Sequence, residues 1–232
     1  RDVVLANPTY LDIIANGPYT LDVQNMGLVD EHDAPDFYDG QVRVVDFEGK
    51  ELHRYDAKDY ADYVAEHVEP WTYLKFPYLK QRGWKGFKEG IDSSIYCATP
   101  LARLNVAERM ATPRAQEAYE EMFSTLGGHP SRLLLAQHWA RLVEMVQNAE
   151  TLQQYCDDPE ITGDEFRVIP QRVTGEGVGI VEAMRGTLTH HYTCDANGIC
   201  TSANLIVGTT NNNAPIQMVT RKVAETLIQP GT

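Results

Sequence analysis

The sequence predicts an α+β fold in which long helices pack on one side of small antiparallel β-hairpins clustered near the helix ends. Three observations predict it. Apolar residues recur at helical spacing over 113–126 and again from about 131 to 156. A period-2 run, Gln41 to Phe47, turns at Glu48-Gly49-Lys50 and returns through Leu52 to Tyr55. Two further strand pairs meet at tight turns, one at Met184-Arg185-Gly186 and one at Asn197-Gly198. With 232 residues, 43% of them hydrophobic, the chain can bury a real core. It is read as a single domain, 1–232, with a helix-plus-hairpin region (1–56), a mainly helical region (57–160), and a region of turn, hairpin and final helix (161–232).

The elements follow in order. The first 56 residues read as a helix and then strands: Tyr19 to Val29 alternates loosely, an acidic loop (Glu31, His32, Asp33, Asp36, Asp39) follows, and the 41–55 hairpin carries its apolar residues on one side. Residues 58–68 switch period, placing Tyr60, Tyr63, Val64 and Val68 on a helical stripe that ends before Pro70. Trp71 to Tyr78 is aromatic and irregular, a set of packing side chains under a long loop, and Gly83 to Gly90 is a glycine-rich connection. Thr112 caps a helix with Pro113 in its first turn and Ala115, Ala118, Tyr119, Met122 and Phe123 on its buried stripe. Gly127-Gly128 ends it. A longer helix begins near Ser131, runs through Leu135, Trp139, Leu142, Val143 and Val146, and stops before Pro159; Arg141 and Glu144 on its other edge read as an i, i+3 salt bridge, at the surface or between packed helices. After an irregular stretch from Asp157 to Gln171 come the two turns, a strand Ala203 to Val207, and a polar turn (Thr209 to Asn213) that caps the last helix, with Ile216, Val219, Val223 and Leu227 as its buried stripe.

Charge and cysteines narrow the function classes. Asp and Glu outnumber Lys and Arg by 33 to 20, a formal charge of -13 that disfavours nucleic acid, which needs a basic face. No run approaches the roughly 18 consecutive apolar residues of a membrane span. Cys97, Cys156, Cys194 and Cys200 show no metal-clip spacing. Placing Asn197 and Gly198 at the centre of their turn sets Asp195 opposite Cys200 and turns Cys194 to the other face, so all four read as free thiols in a reducing cytoplasm. The chain starts at Arg1 with no methionine and no leader-like segment, which reads as a cut from something longer.

The most informative stretch is Gly177 to Tyr192. A glycine-flanked apolar strand delivers Arg185 to a sharp turn, and the departing strand carries His190 and His191 facing opposite ways. From the residues alone, an arginine paired structurally to Glu182 competes with an arginine presented as a fixed cation. The wording Glu182-Ala183-Met184-Arg185-Gly186-Thr187-Leu188-Thr189-His190 resembles the Glu-Ala-Pro-Arg-Gly-x-Leu-x-His signature of nickel-iron hydrogenase large subunits, with Met184 in place of proline. Thr99-Pro100-Leu101-Ala102-Arg103-Leu104-Asn105, Tyr38 to Arg43, Leu74 to Tyr78 and His138 to Arg141 also read like the cytoplasmic branch that holds F420-non-reducing and NAD-reducing enzymes.

The resemblance implies that Arg185 projects over the open site of a nickel-iron centre bearing cyanide and carbonyl ligands. Thr209, with Thr210 beside it, matches the hydroxyl that hydrogen-bonds an iron ligand. Leu205 aligns by its carbonyl with a magnesium contact of some relatives, Glu182 belongs to the signature, and His190 ends it in a structural or supporting role. The implied partners are further electron-acceptor subunits and an iron-sulfur small subunit; the implied substrate is H2, and the implied metal ligands come from two Cys-x-x-Cys pairs that this chain lacks. The expected role is part of a catalytic large subunit that is inactive alone and holds no metal. The alternative, prompted by Met184 and Thr99, is a non-catalytic hydrogenase-like scaffold; a stand-alone small-molecule module near Trp71 is a third reading.

Overall fold

The computed structural model describes residues 7–169 and 171–228. Residues 1–6, 170 and 229–232 lie outside the described residues, and with them both outer limits of the expected 1–232 domain. Helix α1 (Pro8–Asn16) starts at Asn7, whose side chain accepts from the amides of Thr9 and Tyr10. Strands β1 (Gln24–Val29), β2 (Gln41–Val45) and β3 (Glu51–Tyr55) follow, each antiparallel to the next.

The helix expected over 58–68 is cut short. A 3-10 turn and α2 (Tyr60–Tyr63) give way at Val64 to β4 (Val64–Val68), antiparallel to β5 (Lys75–Leu79). Val64, Glu66 and Val68 would also share one face of a strand, and pairing with Lys75–Leu79 decides the conformation against the local helical stripe. The expected irregular aromatic loop is therefore partly strand. Phe76 is buried against Trp84 and Phe87, whereas Trp71 and Tyr73 are exposed.

Strand β6 (Tyr96–Cys97) completes a four-stranded sheet of order β3-β2-β1-β6, with β6 parallel to β1. Helix α3 (Pro100–Val106) is buried at every residue and packs against β1; Thr99 caps it by accepting from the amide of Ala102. Helix α4 (Pro113–Thr125) packs against α5 (Gln137–Cys156), and the Glu150 carboxylate of α5 accepts from the amides of Arg114 and Ala115 at the α4 N-terminus. The predicted Thr112 position holds, without a side-chain bond to the helix amides. Helix α5 starts later than Ser131 suggests, after a 3-10 turn at Leu134–Ala136, because the Ser131 amide and carbonyl are taken by the Asn105 side chain. Its expected Arg141–Glu144 salt bridge is not formed: Glu144 is buried on Arg103 of α3, and Arg141 meets His138 at 3.4 Å.

Strands β7 (Glu176–Ala183), β8 (Gly186–Cys194) and β9 (Cys200–Ile206) form an antiparallel meander, and a 3-10 turn at Thr210–Asn212 leads into α6 (Asn213–Leu227). Ile180 and Ile206 pack on Met26, Leu28, Val42 and Val44, while Val29 and Val45 meet Val106 and Ala107. The first sheet is thus covered on both faces, not one. Each fully buried side chain of this size stabilises the fold by about 1.5–3 kcal/mol.

Two further expectations change. Strand β9 begins at Cys200, and Cys194 is the register partner of Cys200 rather than turned away from it, because the tip is a three-residue loop closed by Asp195 and Ile199. On α6, Ala214, Pro215 and Met218 face the core; Ile216 and Leu227 are exposed, and Val219 and Val223 are half-buried beside an open groove of about 470 Å³.

Candidate functional site

Three segments converge at one corner. The turn Met184-Arg185 joins β7 to β8, and Gly186 follows at φ 151°. A Cβ there would lie 2.0 Å from the Ala98 carbonyl oxygen and 2.6 Å from that of Gly208, so only glycine lets the turn approach both. Asn212 ties the corner: its Nδ2 donates to the carbonyls of Ala98 (3.1 Å), Arg185 (3.2 Å) and Gly208 (3.1 Å), and its Oδ1 accepts from the Ala98 amide at 2.9 Å. Asn211 adds a second tie, donating to the Thr187 carbonyl at 2.6 Å and accepting from the Tyr96 hydroxyl at 2.5 Å. Thr209, next to Gly208, is carried to the same corner by this backbone.

The side chains at the corner are held only through their backbones. Arg185 is exposed, and its guanidinium makes no hydrogen bond or ion pair among the described residues. Thr209 is exposed, and it does not cap the helical turn with its hydroxyl as expected; Thr210 is half-buried. Met184, in the proline position of the signature, is 76% exposed.

Glu182, His190 and Leu205 sit on the strands that lead into and out of the corner. Glu182 does not pair with Arg185: its Oε1 accepts from the Leu28 amide (2.9 Å) and the Thr187 hydroxyl (3.0 Å), and its Oε2 accepts from Arg103 at 3.2 Å. His190 and Leu205 are register partners on β8 and β9, and His190 Nδ1 meets the Tyr192 hydroxyl at 2.9 Å. His191 lies between the Tyr60 hydroxyl (2.9 Å) and Glu176 (2.8 Å), a hydrogen-bonded packing histidine.

Behind the corner sits a charged network that sequence reasoning missed. The Arg103 guanidinium, 2% exposed, binds Glu144 with two bonds (2.6 and 2.8 Å) and gives its remaining amino group to Glu182 and to the Ala183 carbonyl at 2.9 Å. It fixes the end of β7 just before Met184 and Arg185. Two carboxylates share one guanidinium, and Glu144 holds the better geometry. Burial pushes the Glu182 carboxyl up to about 7, against the opposing pull of Arg103. The usable signals were Arg103 and Asn105 set among the apolar residues of one short helix, and three successive asparagines, of which two are buried. An open pocket of about 390 Å³ lies beside this network, bordered by Phe37, Asn148 and Met184.

The donor set decides what the corner can hold. A guanidinium and threonine hydroxyls suit hydrogen-bond acceptors, such as the outer atoms of a bound group, and do not ligate a soft metal, which takes thiolates. Cys97 is buried in β6, Cys156 ends α5, and Cys194 and Cys200 are at a hairpin tip. Among the described residues no group of three or more His, Cys, Asp or Glu is placed to hold a metal ion.

Known proteins share this architecture. The chain is 48% identical over 229 residues to an F420-non-reducing hydrogenase iron-sulfur subunit of Archaeoglobus profundus, covering 99% of this chain and 47% of that protein. It is 40% identical over 203 residues to the NAD-reducing hydrogenase HoxS subunit beta of Cupriavidus necator, covering 87% of this chain and 40% of that one. A crystal structure of an NAD+-reducing NiFe-hydrogenase in the H2-reduced state superposes with a TM-score of 0.85 at 33% identity, over 98% of this chain and 48% of that chain. The chain thus spans about half the length of the relatives it matches. The family model described as nickel-dependent hydrogenase matches residues 13–225, which include the whole Arg185 corner, and the chain belongs to that family.

Proposed function

We propose that this chain is part of the catalytic large subunit of a nickel-iron hydrogenase, contributing hydrogen-bond donors and fixed positive charge while the metal ligands come from polypeptide outside it. The observation that carries this reading is the Arg185 turn, clamped by Asn212 against Ala98 and Gly208 with its guanidinium left free. The metal centre, with cyanide and carbonyl ligands on iron, supplies H2 binding and electron exchange. Arg185 presents donors of permanent charge where cleavage of a neutral molecule separates charge, and a preset donor stabilises that separation without reorganising. Thr209 and Thr210 offer hydroxyls to a second acceptor at the same corner. Glu182 acts through the strand it anchors, and His190 through β8. The Leu205 carbonyl is the candidate magnesium contact.

An iron-sulfur small subunit receives the electrons, and F420-independent or NAD-linked subunits take them onward, in the cytoplasm. Among the described residues no helix is long and apolar enough to cross a membrane.

The division of labour is directly testable. Purified alone, the 232-residue chain is expected to carry no stoichiometric nickel and to leave H2 unoxidised, while a full-length polypeptide containing it carries about one nickel per chain and turns over. Nickel bound stoichiometrically by the isolated chain overturns the reading. A full-length polypeptide that lacks either Cys-x-x-Cys pair favours the non-catalytic scaffold instead.

A further inference from the structure

The tip of the β8–β9 hairpin places two thiols opposite each other. Asp195 donates its amide to the Ile199 carbonyl (2.9 Å) and accepts from Gly198 (3.0 Å), with Gly198 at φ 79°; this is a three-residue loop ending in a left-handed glycine. The next pair outward is Cys194 and Cys200. The Cys194 amide donates to the Gly175 carbonyl at 2.7 Å, so its peptide groups face β7 and not β9. The two cysteines are therefore a non-hydrogen-bonded antiparallel pair, the class in which Cα atoms approach to about 4.5 Å and side chains stand closest. That separation lies inside the window a disulfide needs, about 4.4–6.8 Å.

The surroundings make the pair reachable. Cys200 is exposed and Cys194 half-exposed, whereas Cys97 is buried. The Cys200 sulfur rests on the Ser202 carbonyl at 3.2 Å, a weak contact that a side-chain rotation releases. The register shifts between Thr193 and Cys194, a bulge that interrupts the ladder beside the pair.

We propose that Cys194 and Cys200 form a thiol–disulfide site, oxidised by a hydroperoxide or by a low-molecular-weight disulfide. With a hydroperoxide, the first cysteine sulfur attacks the peroxide oxygen, the O–O bond breaks, and an alcohol or water leaves, giving a sulfenic acid. The second thiol then attacks that sulfur, the S–O bond breaks, water leaves, and the S–S bond forms; two thiols lose two electrons and two protons in all. With a disulfide oxidant, a mixed disulfide forms first, and the second cysteine displaces the remaining thiol. The product closes the tip and fixes the register of β9, the strand that leads to Gly208 and Thr209.

The test uses the whole chain, exposed to hydrogen peroxide or oxidised glutathione, then alkylated and cleaved before aspartate, which cuts between Cys194 and Asp195. The site is supported if the peptides on either side of that cut remain joined, two mass units below their reduced sum, and separate on reduction. Cys194→Ser and Cys200→Ser should each abolish the joined species, and Cys156→Ser should leave it intact. Full alkylation of Cys194 and Cys200 after oxidation, or joined peptides that contain Cys156 instead, overturns the proposal. Neither outcome bears on the Arg185 reading, whose readouts are nickel and H2.

Discussion

Two arginines that flank the end of one strand are treated in opposite ways. Arg103 is buried in α3 with Glu144, Glu182 and the Ala183 carbonyl on its donors, while Arg185, two residues beyond Ala183, has none of these partners. One guanidinium holds the scaffold, and the other is what the scaffold presents. The difference teaches that a residue of this second kind need not be stabilised through its own side chain: Asn212 holds its carbonyl, Gly186 lets the turn approach its neighbours and Arg103 holds Ala183 two residues before it, leaving the charge available.

The contrast can be broken from the Arg103 side with the largest effect. Arg103→Met leaves two buried carboxylates without a counter-charge and should cost about 3–5 kcal/mol in urea unfolding; a loss under about 1 kcal/mol would mean that the network does not hold the fold. Asn212→Ala removes the ties among Ala98, Arg185 and Gly208, with an expected loss of about 1–3 kcal/mol. Hydrogen exchange should then quicken around Gly186 and Gly208 while β1 and β2 stay protected. Equal acceleration throughout would assign Asn212 to the global core.

Glu182 sharpens the comparison through pH. Its folded carboxyl lies at about 7, above its ordinary 4.5, so the folded chain binds the extra proton and this group's contribution to stability falls as pH rises from about 4.5 to 7. Glu182→Gln should remove that slope from a stability–pH profile, whatever constant offset it adds. A slope that persists unchanged would place the titration elsewhere. The smallest stability effect belongs to Arg185→Ala, expected within about 0.5 kcal/mol of the parent because the side chain anchors nothing.

Much of this was legible in the chain. The helices around Tyr119 and Trp139 follow from apolar spacing, and the Arg185-Gly186 turn from glycine placement and the signature wording. What escaped was decided by tertiary partners. Val64–Val68 became strand because Lys75–Leu79 offered an edge, and Glu144 left Arg141 for Arg103, a residue 41 positions away in the sequence. The α6 stripe of Ile216, Val219, Val223 and Leu227 has helical periodicity, yet periodicity does not say which face meets the core, and Met218 took the core side. Asn211 and Asn212 read as turn formers; their buried carbonyl partners come from segments more than twenty and more than a hundred residues distant.

The most direct test of the central claim compares Arg185→Ala and Arg185→Lys with the parent in the full-length subunit, measuring H2 oxidation, nickel per chain and melting temperature together. The account predicts a fall in kcat of about 10²–10³ for alanine with nickel and melting temperature unchanged, as for removal of a preset donor. Full activity in Arg185→Ala, or a loss that simply follows lost nickel or lost stability, would contradict it.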